Sequence, residues 1–315
     1  MNDRRPLNFI CRRPDLDHIL EGQFFRDVLF SGLERPLRLI PVEAGQPWPL
    51  MDDSLLLILG GGADSNAYLE GCRDAGHANV GVFHMGDELA SLDCGFYSRA
   101  RYVLRNYYFP DRISPDADPP ILWVPNGYAN GVGPIAPERL PGFTDRQHVM
   151  FFSGHVDGRE IEVPGRVKMF EVVKEHGLPS VMAATQNFGG GFGRVSYAAH
   201  LANSKFALAP AGISDESIRL YDALENGAIP ITLKLPYLQT PDAIDHPPFV
   251  ILNDWDDLPA FIAPFQDDPA PVLMEEWERR RSNVCAWWQT FKRDKAVMVA
   301  ETIERSFARH ARRRD

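Results

Sequence analysis

Apolar residues in the first part of the chain gather into short runs at 7–10, 37–42, 55–59, 80–83 and 121–124, with room for a helix or loop between them. Runs of this length with little polar alternation suit strands buried on both faces, as in a parallel sheet. Between the first two, residues 15–33 carry Leu16, Ile19, Leu20, Phe24, Phe25, Val28, Leu29 and Leu33 near helical spacing, with Asp15 placed as N-cap. The alternation predicts βαβ units and a first domain over residues 1–143. Pro and Gly concentrate in 115–142, which predicts a last strand followed by an interdomain connection.

The pattern then restarts. Residues 148–153 predict a strand, 166–176 a helix and 181–185 another strand, followed by the Gly-rich NFGGGFG. A clearer unit follows: a strand at 206–209, a helix at 215–226 with Ser214 as N-cap and Gly227 as its C-terminal stop, and a strand at 229–233. FVILND supplies one more strand, and 272–310 reads as helical. A second α/β domain over 144–315 results, and a cleft between the two domains is the expected place for a ligand.

Composition narrows the partners. The 315 residues are 44% hydrophobic and 24% charged, an ordinary globular balance. With 43 acidic against 33 basic residues the net charge is -10, which argues against nucleic acid as a partner. Arginines gather between Arg305 and Arg314, a pattern that suits a solvated helix end more often than a binding arm. Cys11, Cys72, Cys94 and Cys285 show no CxxC spacing, so neither a zinc knuckle nor a disulfide framework is signalled, and no metal or cofactor is expected. A reduced, cytoplasmic setting without an integral membrane segment is the expectation.

The segment APAGISDESIRLYDALENGAIPITL carries most of the chemistry. A helix starting where a strand ends presents unsatisfied N–H groups and a positive dipole end to an anion. Ser214 and Ser217 add hydroxyls, and the planar fork of Arg219 suits a diphosphate. Asp222, three residues on, either orients Arg219 or forms an ordinary helix-surface ion pair with it. Glu225 stands a further turn along, where ribose hydroxyls are expected if a nucleoside lies beside the helix. Read without a ligand, GAIPITL is simply a buried strand after a helix.

In these residues the sequence resembles the exostosin-like glycosyltransferases. The likeness rests on KFALAPAG, then Ser217, Arg219, Leu220, Tyr221, Asp222, Ala223, Leu224, Gly227, Ile229, Pro230 and Ile231, and on Asp254 and Trp255 of ILNDWDDLP. It is good over 203–260 and weak elsewhere, with a more distant likeness to fucosyltransferases. Asp222 stands where the family has Glu, and Ala228 where it often has Cys. The resemblance implies an α/β, GT-B-like fold of two Rossmann-like domains facing a central cleft. It further implies a nucleotide-diphosphate sugar donor held by the C-terminal domain and a glycan, glycolipid or small hydroxyl acceptor held mostly by the N-terminal one. Transfer would proceed with inversion and without a metal.

Inverting transfer needs a base near the acceptor hydroxyl. After the strand at 80–83, His84, Asp87 and Glu88 emerge at its C-terminal end, where either acid can take a proton and His84 can bind the sugar. A turn cap by Asp87 and a solvated Glu88 is the plainer reading. Gly154, His155, Arg159 and Arg166, after the strand at 148–153, offer further diphosphate contacts or form a polar loop between strand and helix. Gln186, beside the Gly-rich loop, is a weaker candidate for a base or sugar contact. Arg105, Tyr107, Asn126 and Tyr128 are acceptor-side candidates, although the aromatic residues equally suit packing. Two other functions stay open: another nucleotide-sugar-dependent enzyme such as an epimerase, and a non-catalytic nucleotide- or sugar-binding protein assisting polysaccharide synthesis.

Overall fold

In the computed structural model, which describes residues 4–13, 15–60, 63–156, 165–185 and 191–314, the apolar runs become the strands of two parallel sheets. The first contains β1 (Leu7–Cys11), β2 (Leu37–Pro41), β3 (Ser54–Leu59), β4 (Val80–Met85), β5 (Val103–Arg105) and β6 (Ile121–Trp123) in the order β2-β1-β3-β4-β5-β6. The second contains β7 (His148–His155), β8 (Ser180–Thr185), β9 (Ser204–Leu208), β10 (Ile229–Leu233) and β11 (Val250–Leu252) in the order β11-β10-β9-β7-β8. All described neighbours within each sheet pair in parallel. The result is an α/β fold consistent with a GT-B-like pair of Rossmann-like domains.

The helices are α1 (Gly22–Phe24), α2 (Ala63–Asp74), α3 (Arg166–Glu175), α4 (Arg194–Ala202), α5 (Ile218–Glu225), α6 (Leu258–Ile262) and α7 (Pro271–Arg314). Two differ from expectation. The helix predicted over 15–33 breaks into a 3-10 turn at Leu16–His18, capped by Asp15, then α1 and a π-helical turn at Phe25–Leu29. The break follows from Ile19, which is extended, and from Gly22, where a Cβ would lie 1.6 Å from the Leu16 carbonyl oxygen. The helix predicted over 215–226 starts later, with Ser217 rather than Ser214 as N-cap. Its end matches: Gly227 has φ 64°, its N–H donates to the Leu224 carbonyl, and the Ala228 N–H donates to that of Ala223. Those two bonds are the Schellman pattern, and they turn the chain directly into β10.

The chain divides into residues 1–125 with 292–315, and residues 126–291. This differs from the 1–143 and 144–315 division. Phe143 stacks on Trp277 at 6.0 Å and meets Phe206 edge-on at 5.4 Å, so the Gly- and Pro-rich stretch packs into the second unit. The last turns of α7 return to the first, where Arg35 pairs with Glu304 and His310 lies 2.7 Å from Asp52. The first unit's core is built from Ile10, Leu56, Ile58, Val82, Phe96 and Val103 against Tyr68 and Leu69 of α2. In the second, Phe151 and Ala207 pack against Leu201, Ala223 and Val132. Among the described residues no helix is long and apolar enough to cross a membrane.

Candidate functional site

In the second sheet the strand order reverses between β7 and β9, and the C-terminal edge beside such a switch point is where doubly wound sheets bind ligands. β7 ends there in Ser153, Gly154 and His155. A Cβ on Gly154 would lie 2.1 Å from Nη2 of Arg219 and 2.5 Å from its Cζ, so the absent side chain is what admits the guanidinium. Arg219 Nε donates to the Ser153 carbonyl at 2.8 Å, and Cζ lies 5.6 Å from the Phe152 ring centroid. The two terminal nitrogens have no hydrogen bond among the described residues.

A second cation adjoins this one. Arg166, at the start of α3, donates from Nη1 to the His155 carbonyl at 3.0 Å and lies against Gly212 of the loop after β9. Arg166 and Arg219 both act electrostatically on the Tyr197 phenol, so they share one neighbourhood. Ser217 is the N-cap of α5, yet its buried Oγ makes no capping bond and has no partner among the described residues. Leaving such a hydroxyl unsatisfied costs about 1–3 kcal/mol, a cost that a ligand oxygen removes. Ser214 is different, because its Oγ already donates to the Glu216 carbonyl at 3.0 Å. His155 is half-buried at the strand end, whereas Arg159 and Gln186 lie outside the described residues.

The acids of this segment do other work. The Asn126 N–H donates to Glu216 at 2.8 Å, the Ala129 N–H to Asp222 at 2.8 Å, and the Ile135 N–H to Glu225 at 2.7 Å. Each carboxylate has a second donor: the Tyr221 hydroxyl on Glu216, the Tyr197 hydroxyl on Asp222, and Trp288 Nε1 on Glu225. All three acids are buried. The stretch NGYANGVGPI has no regular strand to pair its backbone, so its N–H groups take these acceptors instead. Glu225 thus meets a backbone amide and an indole, and among the described residues Asp222 makes no ion pair with Arg219. Burial raises the Asp222 pKa to about 6. Asn126 and Tyr128 are themselves buried within the second unit. Glu216 escaped the sequence reading because nothing local marks a carboxylate that meets a backbone ninety residues away.

In the first unit, the candidates after β4 form a closed network. Arg105, at 0% exposure, donates from Nη2 to Asp87 at 2.9 Å and from Nη1 to the Tyr97 hydroxyl at 3.0 Å. The other Asp87 oxygen accepts the Ser91 and Leu92 N–H groups. His84 Nε2 is 3.1 Å from the Gly60 carbonyl, and Nδ1 is 2.5 Å from the Tyr97 hydroxyl. Donation from Nε2 leaves Nδ1 as acceptor and the ring neutral. Desolvation, reinforced by Arg105, pushes the His84 pKa down to about 4. Asp87, His84 and Arg105 thus bond to one another's neighbours and to the turn after β4, a framework role. Glu88 is half-buried, and so is Tyr107, whose φ of 53° is uncommon for a non-glycine residue.

Among the described residues, two groups bring metal-ligand side chains within 4.8 Å of one another: His84, Asp87 and Cys94, and Asp52, Asp53 and His310. The Arg105 guanidinium already contacts all three members of the first. Arg5 and Asn79 bond to the acids of the second.

Residues 192–308 match the family model of the RXYLT1 C-terminal domain. Ribitol-5-phosphate xylosyltransferase 1 of Danio rerio is 25% identical over 123 residues, which are 35% of this chain and 27% of that protein. The Homo sapiens protein of that name is 26% identical over 129 residues, 36% of this chain and 27% of its own length. The matched part thus spans about a quarter of these relatives. Among solved structures, AviGT4, a glycosyltransferase involved in avilamycin A biosynthesis, aligns over 97% of this chain and 98% of its own, at 14% identity and a TM-score of 0.44. The GtfA/B complex aligns over 81% of this chain and 58% of its own, at 11% identity and a TM-score of 0.46. The matched residues 192–308 contain α5 with Ser217 and Arg219, the Schellman turn and β10. Through residues 192–308 the chain is related to the RXYLT1 and exostosin-like glycosyltransferases.

Proposed function

We propose that the chain is a glycosyltransferase that holds the diphosphate of a nucleotide sugar at the C-terminal edge of the second sheet and passes the sugar to a hydroxyl acceptor. The observation that carries this reading is the Arg219 guanidinium, fixed at Nε by the Ser153 carbonyl and seated on Gly154, with its terminal nitrogens unpartnered among the described residues. Ser217 and the first N–H groups of α5 add neutral donors, and Arg166 a second positive charge. Negative charge grows on the diphosphate as its bond to the sugar breaks, so preorganised cations stabilise the transition state more than the ground state. In this reading arginine, rather than a divalent ion, balances the leaving group.

The acceptor hydroxyl attacks the anomeric carbon opposite the departing diphosphate, so the new C–O bond forms as the old one breaks and configuration inverts. Its proton passes to a carboxylate, which we assign to Glu88, and the nucleoside diphosphate leaves with the electron pair. Asp87, His84 and Arg105 hold the turn that carries Glu88. The relatives named ribitol-5-phosphate xylosyltransferase 1 make a nucleotide-activated xylose the first donor to try and a phosphorylated polyol the first acceptor.

Calorimetry of the full chain with UDP, GDP, dTDP, CDP and ADP tests the donor site. One diphosphate is expected to bind, with R219A weakening it by roughly 10- to 100-fold, the equivalent of one charge-assisted hydrogen bond. Binding of none by the wild type would overturn the reading. Equal binding by R219A would keep a nucleotide site but remove its phosphate from Arg219.

A further inference from the structure

A separate pocket opens in the first unit at the end of the sheet where β5 and β6 begin, opposite the end that carries His84 and Asp87. Its walls come from Arg101 and Tyr102 before β5, Pro115, Pro120 and Leu122 around the start of β6, and Thr302, Arg305, Ser306 and Arg309 of α7. It is open to solvent and offers about 70 Å3 of space, room for a phosphate group rather than for a whole drug-sized ligand. Three of its nine lining residues are arginines, from two elements distant in sequence, in a chain whose net charge is -10.

Little in the protein neutralises the two arginines of the helix. Arg305 donates from Nε to the Glu301 carbonyl at 3.4 Å and meets the Glu301 carboxylate at 3.8 Å, a spacing at which an exposed pair contributes little. Arg309 has no hydrogen bond or ion pair among the described residues. Asp116 and Asp118 lie on the same loop as Pro115 and Pro120, yet among the described residues neither pairs with an arginine. Arg305 and Arg309 are also four residues apart on one helix, a spacing at which like charges repel. The helix dipole favours cations only within the last turn, and Arg305 lies nine residues before Arg314. It does not account for Arg101, which the sheet supplies. The remaining lining is neutral: the Thr302 and Ser306 hydroxyls donate to carbonyls of their own helix, Met298 and Ile303.

We propose that this pocket binds a phosphate-bearing anion, with Arg101, Arg305 and Arg309 as its ligands, independently of the diphosphate site at Arg219. Arginines contributed both by the sheet end and by α7 suit the planar, multidentate geometry of phosphate oxygens, and a bound anion would relieve the repulsion within α7. A free phosphorylated metabolite and a phospholipid headgroup present the same chemistry.

The test is chemical protection in the full chain, with phenylglyoxal modification of each arginine followed by peptide mass spectrometry. Inorganic pyrophosphate at ten times its Kd is expected to slow modification of Arg305 and Arg309 by about tenfold. Arg293, exposed on the same helix and 3.4 Å from Asp294, should keep its rate. The protection must persist in R219A, where the other diphosphate site is disabled. Phosphatidylcholine vesicles with and without phosphatidic acid form the second arm. Protection by pyrophosphate identifies a soluble phosphate as sufficient, and protection by phosphatidic acid vesicles alone identifies a lipid headgroup. Unchanged rates in both arms, or protection that disappears in R219A, would overturn the proposal.

Discussion

Replacing Gly154 with alanine tests the diphosphate site through a residue that carries no chemistry of its own. The new methyl carbon would stand 2.1 Å from Arg219 Nη2, 2.5 Å from Cζ and 2.6 Å from Nε, whereas ordinary contact begins near 3.4 Å. The guanidinium must therefore move by more than an ångström and release the Ser153 carbonyl. Because the displaced group is the end of a long side chain beside a half-buried site, the fold should tolerate the change and the melting temperature should move little. Binding should not tolerate it. Loss of one preorganised charged contact is worth about 1.5–3 kcal/mol, or roughly 10- to 150-fold in affinity. The assay is calorimetry of wild type, G154A, R219A and the double variant against the diphosphate that the wild type binds. If Gly154 acts only by admitting Arg219, the double variant binds as R219A does. Wild-type affinity in G154A, or a further loss when G154A is added to R219A, would refute the reasoning.

Three other outcomes follow from the same geometry. R105M leaves the Asp87 carboxylate buried without its cation and should cost about 3–5 kcal/mol, lowering the melting temperature by roughly 10 °C, while D87L combined with R105M should recover most of the loss; a thermal melt of R105M that matches wild type would contradict the framework assignment. Asp222 has its pKa raised by burial from 3.8 to about 6, so the folded state holds the proton more tightly than the unfolded chain and stability falls as pH rises from 4 through 6. Wild type should lose up to about 3 kcal/mol relative to D222N over that window, whereas a difference independent of pH would show that Asp222 titrates normally. E88Q should keep its fold and diphosphate affinity but lose about 10²- to 10⁴-fold in turnover of donor and acceptor; turnover near wild type would place the base elsewhere.

Much of the fold is legible along the chain because its determinants are local. Short apolar runs mark the strands, and the Gly227 stop follows from a left-handed residue that glycine adopts without strain. The segment around Arg219 is legible for the same reason, since Ser217 and Arg219 lie at the cap and in the first turn of α5. The 15–33 helix is misleading because apolar spacing persists while Gly22 and the extended Ile19 break the backbone. The strand β5 is three residues long, too short for periodicity to register among its flanking arginines and tyrosines. Partner choice is least legible. Glu216, Asp222 and Glu225 meet amides about ninety residues away, and Arg105 reaches Asp87 across eighteen. Motif position therefore identifies polar residues near an edge, without distinguishing those that complete the fold from those that await a ligand.

That distinction rests on which hydrogen-bonding capacity the fold itself satisfies. Asp87, His84, Asp222 and Glu225 are chemically versatile, but their partners include amides, hydroxyls, a guanidinium and an indole, and a substrate would have to displace them from buried positions. Breaking such contacts costs more than a new surface contact returns. Arg219 and Ser217 show the opposite condition: among the described residues, a cation held at one nitrogen with its others unpartnered and a buried hydroxyl without a partner, both beside the switch point of a parallel sheet. The proposed diphosphate would supply oxygens to that open capacity. The same criterion separates the arginines themselves: Arg105 and Arg146 are buried against groups of the protein, whereas Arg219 has capacity left for a phosphate. For this reason R219A should weaken a ligand while R105M weakens the fold, and the two variants measured together test the assignment of one arginine against the other.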